Sequence, residues 1–341
     1  MPQITQHKSL YMHCFADHSP KLMKMRAINM AVFVLALFLM AQHSLQQSVN
    51  DLPVIGLVLS TARNERALIN SGRFKPNAAE PYVDIAGRRF HQGTVGDNLV
   101  VYVVADEHVN AAITTQILVL RFRVRGIVHF GTAGSIDDSS LNVGDVAVYK
   151  SVGFTDLWSW KNGTSGNGLN FGDFNYPDNG VNSLGSVTLN KVTVYSEKKQ
   201  ESVYWLLVDS FYYDYAKSNL KDLPFTRCAA PVCLTTEPKL VSVLKGSSSG
   251  SYISNSAYGD FLRSNYGAST VDTVSAHVAL TSVSNGRPFI VFRGISNSVR
   301  EGTVESTKNQ ASSIASYNAM IAATEFIRLL PSPRLAMAWE K

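Results

Sequence analysis

The stretch Gly126–Asp145, GIVHFGTAGSIDDSSLNVGD, joins a short apolar run to a glycine-rich segment and then to an acidic loop. Ile127, Val128 and Phe130, bounded by glycines, predict a strand covered on both faces, as in the interior of an α/β sheet. Gly131-Thr132-Ala133-Gly134 predicts a turn at the carboxyl end of that strand. Small residues there leave backbone N–H groups open to an anion, at the place where open α/β sheets bind ligands.

Working outward, Leu52 to Leu59 (LPVIGLVL) predicts a first strand, and Ser60, Thr61 and Asn64 offer capping groups for a helix through Ala67-Leu68-Ile69. Gly87 to Gly96 predicts a hairpin arm, and Leu99 to Ala105 the next buried strand. Val109, Ile113, Ile117 and Leu120 recur at helical spacing and predict a face that packs back on the sheet, which makes a right-handed βαβ unit ending at Ile127. Further along come a strand at Val146–Val152, a surface excursion from Asn162 to Gly185 and an aromatic amphipathic segment at Ser202–Tyr215, expected in the core or a subunit interface. A strand at Leu240–Leu244 precedes a Ser-rich loop at Gly246–Gly250. Asp272 caps a helix to about Ser282, Phe289–Arg293 is a last strand, and a terminal helix carries Ile314, Tyr317 and Ile321. The fold class is α/β, one domain with a mixed central sheet flanked by helices.

With 341 residues, 45% of them hydrophobic, the chain can bury a large core without dividing. Lys24 and Arg26 precede an uncharged run, Ala27 to Ala41, that predicts a cleaved secretory leader at 23–41, against an uncleaved anchor or a buried helix. Residues 1–22 then read as a gene-model extension or a disordered segment, 52–330 as the domain and 331–341 as a tail. With residues 1–41 go Lys8, Lys21, Lys24 and Arg26 against Asp17, which takes the formal charge from +5 to +2. No basic patch interleaved with aromatics remains, so no nucleic-acid partner is expected, and after leader cleavage no membrane partner is expected. The expected localisation is the secretory pathway, ending in the vacuole or outside the cell. Cys228 and Cys233 lie in a Cys-x4-Cys pair that either closes a small disulfide loop or stays as two unpaired thiols. Asn162-Gly163-Thr164 is a glycosylation sequon.

Walker loops, G-x-G-x-x-G, His-Glu-x-x-His and zinc-like cysteine spacings are absent, so no metal site is expected. Gly246-Ser247-Ser248-Ser249-Gly250 formally matches a nucleophile elbow, with Asp272 and His277 downstream in the order of a serine hydrolase. Asp272 and His277, five apart on one helix, point to different sides and argue against that remote alternative.

The strand-end set carries a resemblance. GIVHFGTAGSIDDSSLNVGDVAVYKSVGFTDLWSW, with VNAAITTQILVL before it and FIVFRGISN far downstream, resembles the nucleoside phosphorylase and nucleosidase superfamily, over about Val54 to Leu330. Gly87-Arg88-Arg89-Phe90, Asn110-Ala111 and Trp158-Ser159-Trp160 resemble its plant bark and vegetative storage branch. The resemblance implies the phosphorylase/hydrolase-like fold and a homo-oligomer. It also implies a purine base or nucleoside lying against Gly131, Thr132, Ala133 and Gly134, with Tyr252 and Ile253 lining the base pocket. No cofactor is implied, only inorganic phosphate as co-substrate if the chain is a phosphorylase.

Family chemistry cleaves an N-glycosidic bond through an oxocarbenium-like transition state. It needs an acid at the leaving base, a carboxylate at the ribose and a group that presents the nucleophile. Where the family reads Ile-Ser-Asp, this chain reads Ile295-Ser296-Asn297, and an amide cannot hand over a proton, although some 6-oxopurine phosphorylases bind the base with asparagine. Where the family reads Asp-Met-Glu-Ser-Ala, this chain reads Asp272-Thr273-Val274-Ser275-Ala276, which puts Val274 at the ribose carboxylate. The nucleophile-activating glutamate falls on Asn64 or Glu65, and a phosphate-binding arginine falls near His129. Asp106 and Glu107 would repel phosphate, with Arg63 and Arg66 as candidate compensation. The expectation is a storage-type protein with a nucleoside-like pocket and weak or lost cleavage. The alternative is an active purine or cytokinin nucleoside phosphorylase or nucleosidase.

Overall fold

The apolar run predicted as a first strand becomes β1 (Val54–Leu59), with all six residues buried. It lies between two parallel neighbours, β5 (Asn98–Val104) and β6 (Val124–Ser135), so both its faces and both its edges are covered. That environment explains a strand with no polar alternation. The computed structural model describes residues 52–160, 185–195, 200–299 and 305–332, together with Met30. The leader apart from Met30, the sequon with most of the 162–185 excursion, and residues 333–341 of the tail lie outside the described residues. Apart from Met30, the described residues belong to the unit Asn50–Lys341.

Helix α1 (Ala62–Ser71) follows β1, capped by Thr61 and ended by Gly72 in the left-handed conformation. The predicted hairpin arm becomes β4 (Arg88–Val95), which pairs antiparallel with β5 and also with two strands before it, β2 (Phe74–Pro76) and β3 (Tyr82–Ile85). Helix α2 (His108–Arg121) then returns the chain to β6. The βαβ crossover therefore steps over β1 rather than joining adjacent strands.

Two short pairs extend the next segment, β8 (Leu157–Trp160) with β9 (Gly185–Thr188) and β10 (Val192–Tyr195) with β11 (Gln200–Val203). The main sheet also contains β7 (Val146–Phe154), β12 (Leu206–Leu207), β15 (Leu240–Ser248), β16 (Thr270–Asp272) and β17 (Phe289–Ser298). Here the pairing closes on itself. β6 pairs with β17 and β17 with β7; β7 pairs with β15, β15 with β16, and β16 returns to β6. A five-stranded ring thus adjoins an open sheet, and closure removes two strand edges that would otherwise need covering.

The remaining helices are α3 (Ser210–Asn219), α4 (Ser256–Tyr266), α5 (Ser275–Ser284) and α6 (Glu305–Leu329). Helix α6 packs along β17 and against α1, while α2 packs against α5. Gly294 admits the α6 backbone at Ala315, where any Cβ would collide with it. The aromatic segment becomes the end of β11, β12 and the start of α3, with Tyr212 and Tyr213 buried, Tyr212 edge-on to Phe326, and Tyr204 and Phe211 exposed. The tiny arm β13 (Cys228–Ala229) and β14 (Val232–Cys233) carries a Cys228–Cys233 disulfide, which decides between the two alternatives left by the spacing.

Three local expectations are corrected. Gly131–Gly134 makes no turn: β6 continues to Ser135, because β17 pairs along it from Gly131↔Arg293 to Ser135↔Ser298, with one irregularity between Ile295 and Asn297. The Ser-rich segment at Gly246 is not a loop until Ser249, since β15 runs to Ser248 between β7 and β16. Ser247 and Ser248 can be buried there because their hydroxyls bond Thr155 and Asp272. The third concerns α2, which buries Ala111, Thr114, Thr115, Leu118 and Val119 instead of the predicted stripe. Thr115 satisfies its hydroxyl on the Ala111 carbonyl, so threonine faces inward while Val109, Ile113 and Leu120 are 67%, 43% and 70% exposed.

Candidate active site

Arg293 of β17 stands opposite Gly131 of β6, and its side chain is fully buried. A Cβ on residue 131 would fall on Arg293 Nη1 and Ser60 Oγ, so the glycine that resembles a turn residue is required by a guanidinium. Arg293 donates from Nη1 to Ser60 Oγ (2.5 Å) and from Nε and Nη2 to Ser275 Oγ (2.9 and 2.7 Å). Its Nη2 also meets His129 Nε2 at 2.5 Å, and Nε lies 3.3 Å from Asp272 Oδ2.

The protonation pattern follows. Burial, then the Arg293 charge, push the His129 imidazole down to about 3, so the ring is neutral. Its Nδ1 lies 2.8 Å from the Val58 carbonyl and must carry the proton, which leaves Nε2 as the acceptor that faces Arg293. Asp272 is pushed up by burial, but Arg293 and the bonds to Ser275 outweigh this and hold it below the usual carboxylate range. Its Oδ1 accepts from Ser248 Oγ and from the backbone N–H groups of Val274 and Ser275, and its Oδ2 from the Tyr149 hydroxyl. Burial pushes the Tyr149 hydroxyl well up, so it stays protonated and donates. The centre of the site is therefore a closed, charge-balanced network with Arg293 and Asp272 at its heart.

His129, Gly131, Thr132, Ala133 and Gly134 all lie on β6, and the β17 register sets Asn297 beside Gly134. Asn297 Oδ1 accepts from Ser296 Oγ, and its Nδ2 donates to the Ser298 carbonyl. Val274 is buried, 2% exposed, at the start of α5. Asn64 is turned elsewhere: its Nδ2 donates to Ser316 of α6 and its Oδ1 accepts from Thr61. Glu65 faces the open sheet, where its Oε1 accepts from the Tyr102 hydroxyl and lies 3.5 Å from His91. Ile253 packs on a cluster of Ile136, Leu262, Ala268, Val271 and Val299, while Tyr252 is exposed. Arg63 reaches Asn309 of α6.

Sequence reasoning passed over Arg293, Ser60, Ser275 and Tyr149 as site residues. The signal available was the arginine inside the otherwise apolar run FIVFRG, since a charge on a buried strand demands a partner. The serine-hydrolase arrangement is not formed. Ser248 Oγ donates straight to Asp272 and accepts from the Ala276 N–H at 3.0 Å, while His277 packs between Phe154 and His108. The acidic loop is also spent on structure: Asp145 accepts from the Asn142 and Lys239 N–H groups, Asp137 pairs with Arg263, and Asp138 accepts from Ser298. Among the described residues, no group of three histidine, cysteine or carboxylate side chains could hold a metal ion. None of the described helices is long and apolar enough to cross a membrane.

Comparison with known proteins shows the family and the fold. The family described as Phosphorylase superfamily matches residues 54–328. Bark storage protein A of Populus deltoides is 46% identical over 285 residues, 83% of this chain and 90% of the relative. Bark storage protein B of the same organism is 45% identical over 314 residues, 87% and 99% of the two chains. Among solved structures, the 5'-methylthioadenosine/S-adenosylhomocysteine nucleosidase of Colwellia psychrerythraea in complex with adenine superposes with a TM-score of 0.57 at 19% identity, covering 81% of this chain and 96% of that one.

Proposed function

Because the chain belongs to the phosphorylase superfamily, with bark storage proteins as relatives over most of its length, we propose that it is a storage-type member. In this reading it keeps a pocket for a purine base or nucleoside and has weak or lost N-glycosidic cleavage. The observation that carries the reading is Val274, a buried apolar side chain at the place where the resemblance implies the ribose carboxylate. Asn297 at the acid position and Asn64, bonded into the α1–α6 contact, point the same way. The nearby carboxylate, Asp272, is committed to Arg293, Ser248 and two backbone N–H groups and is not available to replace it. Loss of a general acid alone typically costs about 10²- to 10⁴-fold, roughly 3 to 5 kcal/mol of barrier.

The adenine in the related nucleosidase structure supports a purine as the ligand. A secretory route, to the vacuole or the cell exterior, is supported by the Cys228–Cys233 disulfide. A homo-oligomer is supported by the exposed apolar face of Val109, Ile113 and Leu120 on α2. The test is release of adenine, hypoxanthine or a cytokinin base from its riboside, with and without inorganic phosphate, by protein purified from a secretory host. Release above background would establish the active alternative, and phosphate dependence would separate a phosphorylase from a nucleosidase. A purine pocket without turnover predicts that bases raise the melting temperature, because a ligand that prefers the native state stabilises it. A flat response to every base and nucleoside leaves storage alone.

A further inference from the structure

The arm β13–β14 has little of its own to hold it. Its two residue pairs are Cys228↔Cys233 and Ala229↔Val232, and none of these four residues is buried. A two-stranded hairpin of this size is marginal in water, so the Cys228–Cys233 disulfide is what closes it. On one side of the arm, Thr226 is fixed to α6. Its N–H donates to Asn318 Oδ1 and its carbonyl accepts from Asn318 Nδ2, which also donates to the Gly144 carbonyl. On the other side, Leu234 follows Cys233 directly, donates its N–H to the Arg227 carbonyl and fills the space that Gly144 leaves without a Cβ. Gly144 in turn donates its N–H to the Ile295 carbonyl of β17. Leu234, Thr235 and Thr236 line a concavity of about 250 Å³ together with Asn142, Val143 and Ser298, the last of these next to Asn297 in β17.

With the disulfide formed, the anchor at Asn318 reaches Leu234 through a covalent link. Without it, this wall rests on the Leu234–Arg227 hydrogen bond, packing against α6 and Gly144, and the exposed Arg227–Glu237 ion pair, which contributes little. The chain is next held at Pro238, which is buried, and at Lys239, whose N–H donates to Asp145 Oδ1. Both cysteines are exposed, so a thiolate can attack either sulfur. We propose that Cys228–Cys233 is a redox latch on the concavity beside Asn297: reduction by a dithiol lets the arm open and carries Leu234 to Thr236 off the wall, while the core stays folded. In the exchange, one thiolate of the dithiol forms a mixed disulfide with one cysteine and frees the other. The second thiol of the reductant then displaces the bound cysteine, so the reductant leaves as a disulfide and its two protons end on Cys228 and Cys233. The latch does not depend on which ligand the site takes.

The test is amide hydrogen exchange, read by mass spectrometry, on the protein purified from a secretory host, before and after treatment with dithiothreitol, with alkylation to count free thiols. Loss of so short a crosslinked loop should speed exchange at least about tenfold in residues 227–236, and also in residues 142–144, which Leu234 covers at Gly144. Strands β1 and β6 should stay protected in both states over the same labelling times. Cys228→Ser with Cys233→Ser should show the reduced pattern without any reductant. The proposal is overturned if the two cysteines do not react with the dithiol in the folded protein, or if exchange at 142–144 is unchanged once both thiols are free. It is equally overturned if β1 and β6 lose protection together with the arm, or if the serine double variant exchanges like the oxidised protein.

Discussion

Replacing Arg293 with methionine removes the single cation that balances Asp272 inside the barrel-like ring. Both partners are fully buried, and their closest approach is 3.3 Å. Removing one member of such a pair typically costs about 3–5 kcal/mol, because the remaining charge has no counterion and no water. Asp272 keeps four other donors, Ser248, Tyr149 and the N–H groups of Val274 and Ser275, which places the expectation at the lower end, about 3 kcal/mol. For a domain of this size that is a fall in Tm of roughly 6–12 °C. Adding Asp272→Asn removes the orphan charge while keeping an acceptor at Oδ1, so the double variant should recover part of the loss. Guanidinium unfolding of wild type, both single variants and the double variant gives the coupling energy directly. The reasoning fails if Arg293→Met lies within about 1 kcal/mol of wild type, or if the two single effects simply add.

Acid should weaken the fold through His129. Its native value is lowered to about 3 while an unfolded histidine titrates near 6.5, so between these values the unfolded chain binds a proton that the native chain does not. Stability is then fully present above pH 6.5 and falls as pH drops through the window. The expected loss is about 1 kcal/mol by pH 5.5, measured by thermal melts, and His129→Gln should flatten the slope. His277, lowered to about 4 by burial and by His108, adds in the same direction. Reducing Cys228–Cys233 should lower stability by about 2 kcal/mol, the entropy of so short a loop, as read by paired unfolding curves with and without reductant. Val109→Asp with Ile113→Asp should convert an oligomer to monomer in light scattering with an unchanged circular dichroism spectrum; a mass unaffected by both charges means that this face is free. Val274→Glu with Asn297→Asp should create measurable base release from purine ribosides if only the reacting groups are missing, and continued inactivity would mean that the pocket itself has changed.

The parts of the fold that could be read in the sequence were those where burial alone dictates residue type. β1 and β5 announce themselves because a strand covered on both faces must be apolar throughout. The α2 face could not be read in this way. Periodicity identifies an apolar stripe but not what it packs against, and here Thr115, bonded to its own helix, and Thr114, bonded by Arg88, face inward while Val109 and Ile113 face out. Glycines misled for a related reason. Gly131 and Gly134 carry the composition of a turn, yet Gly131 is small so that Arg293 and Ser60 can meet above it, a requirement set by residues far away in sequence. Glu107 was an ordinary acidic loop residue in the sequence, but it holds a φ of 63°, a conformation that favours glycine and is costly for a side-chain-bearing residue.

The network also separates what holds the site together from the positions at which the resemblance places bond cleavage. Arg293 is the buried cation, and its counterion is Asp272, two residues before Val274, with Ser275 bridging on the other side. Charge balance in the ring is complete without a carboxylate at 274. An apolar residue there leaves no orphan charge and, being buried, gains apolar contact. The same holds at Asn297, whose amide is met by the Ser296 hydroxyl and the Ser298 carbonyl. Arg293, Asp272 and Gly131, by contrast, cannot be changed singly without leaving an unpaired charge or a collision. The residues that hold the site together are thus physically distinct from those the resemblance assigns to bond cleavage.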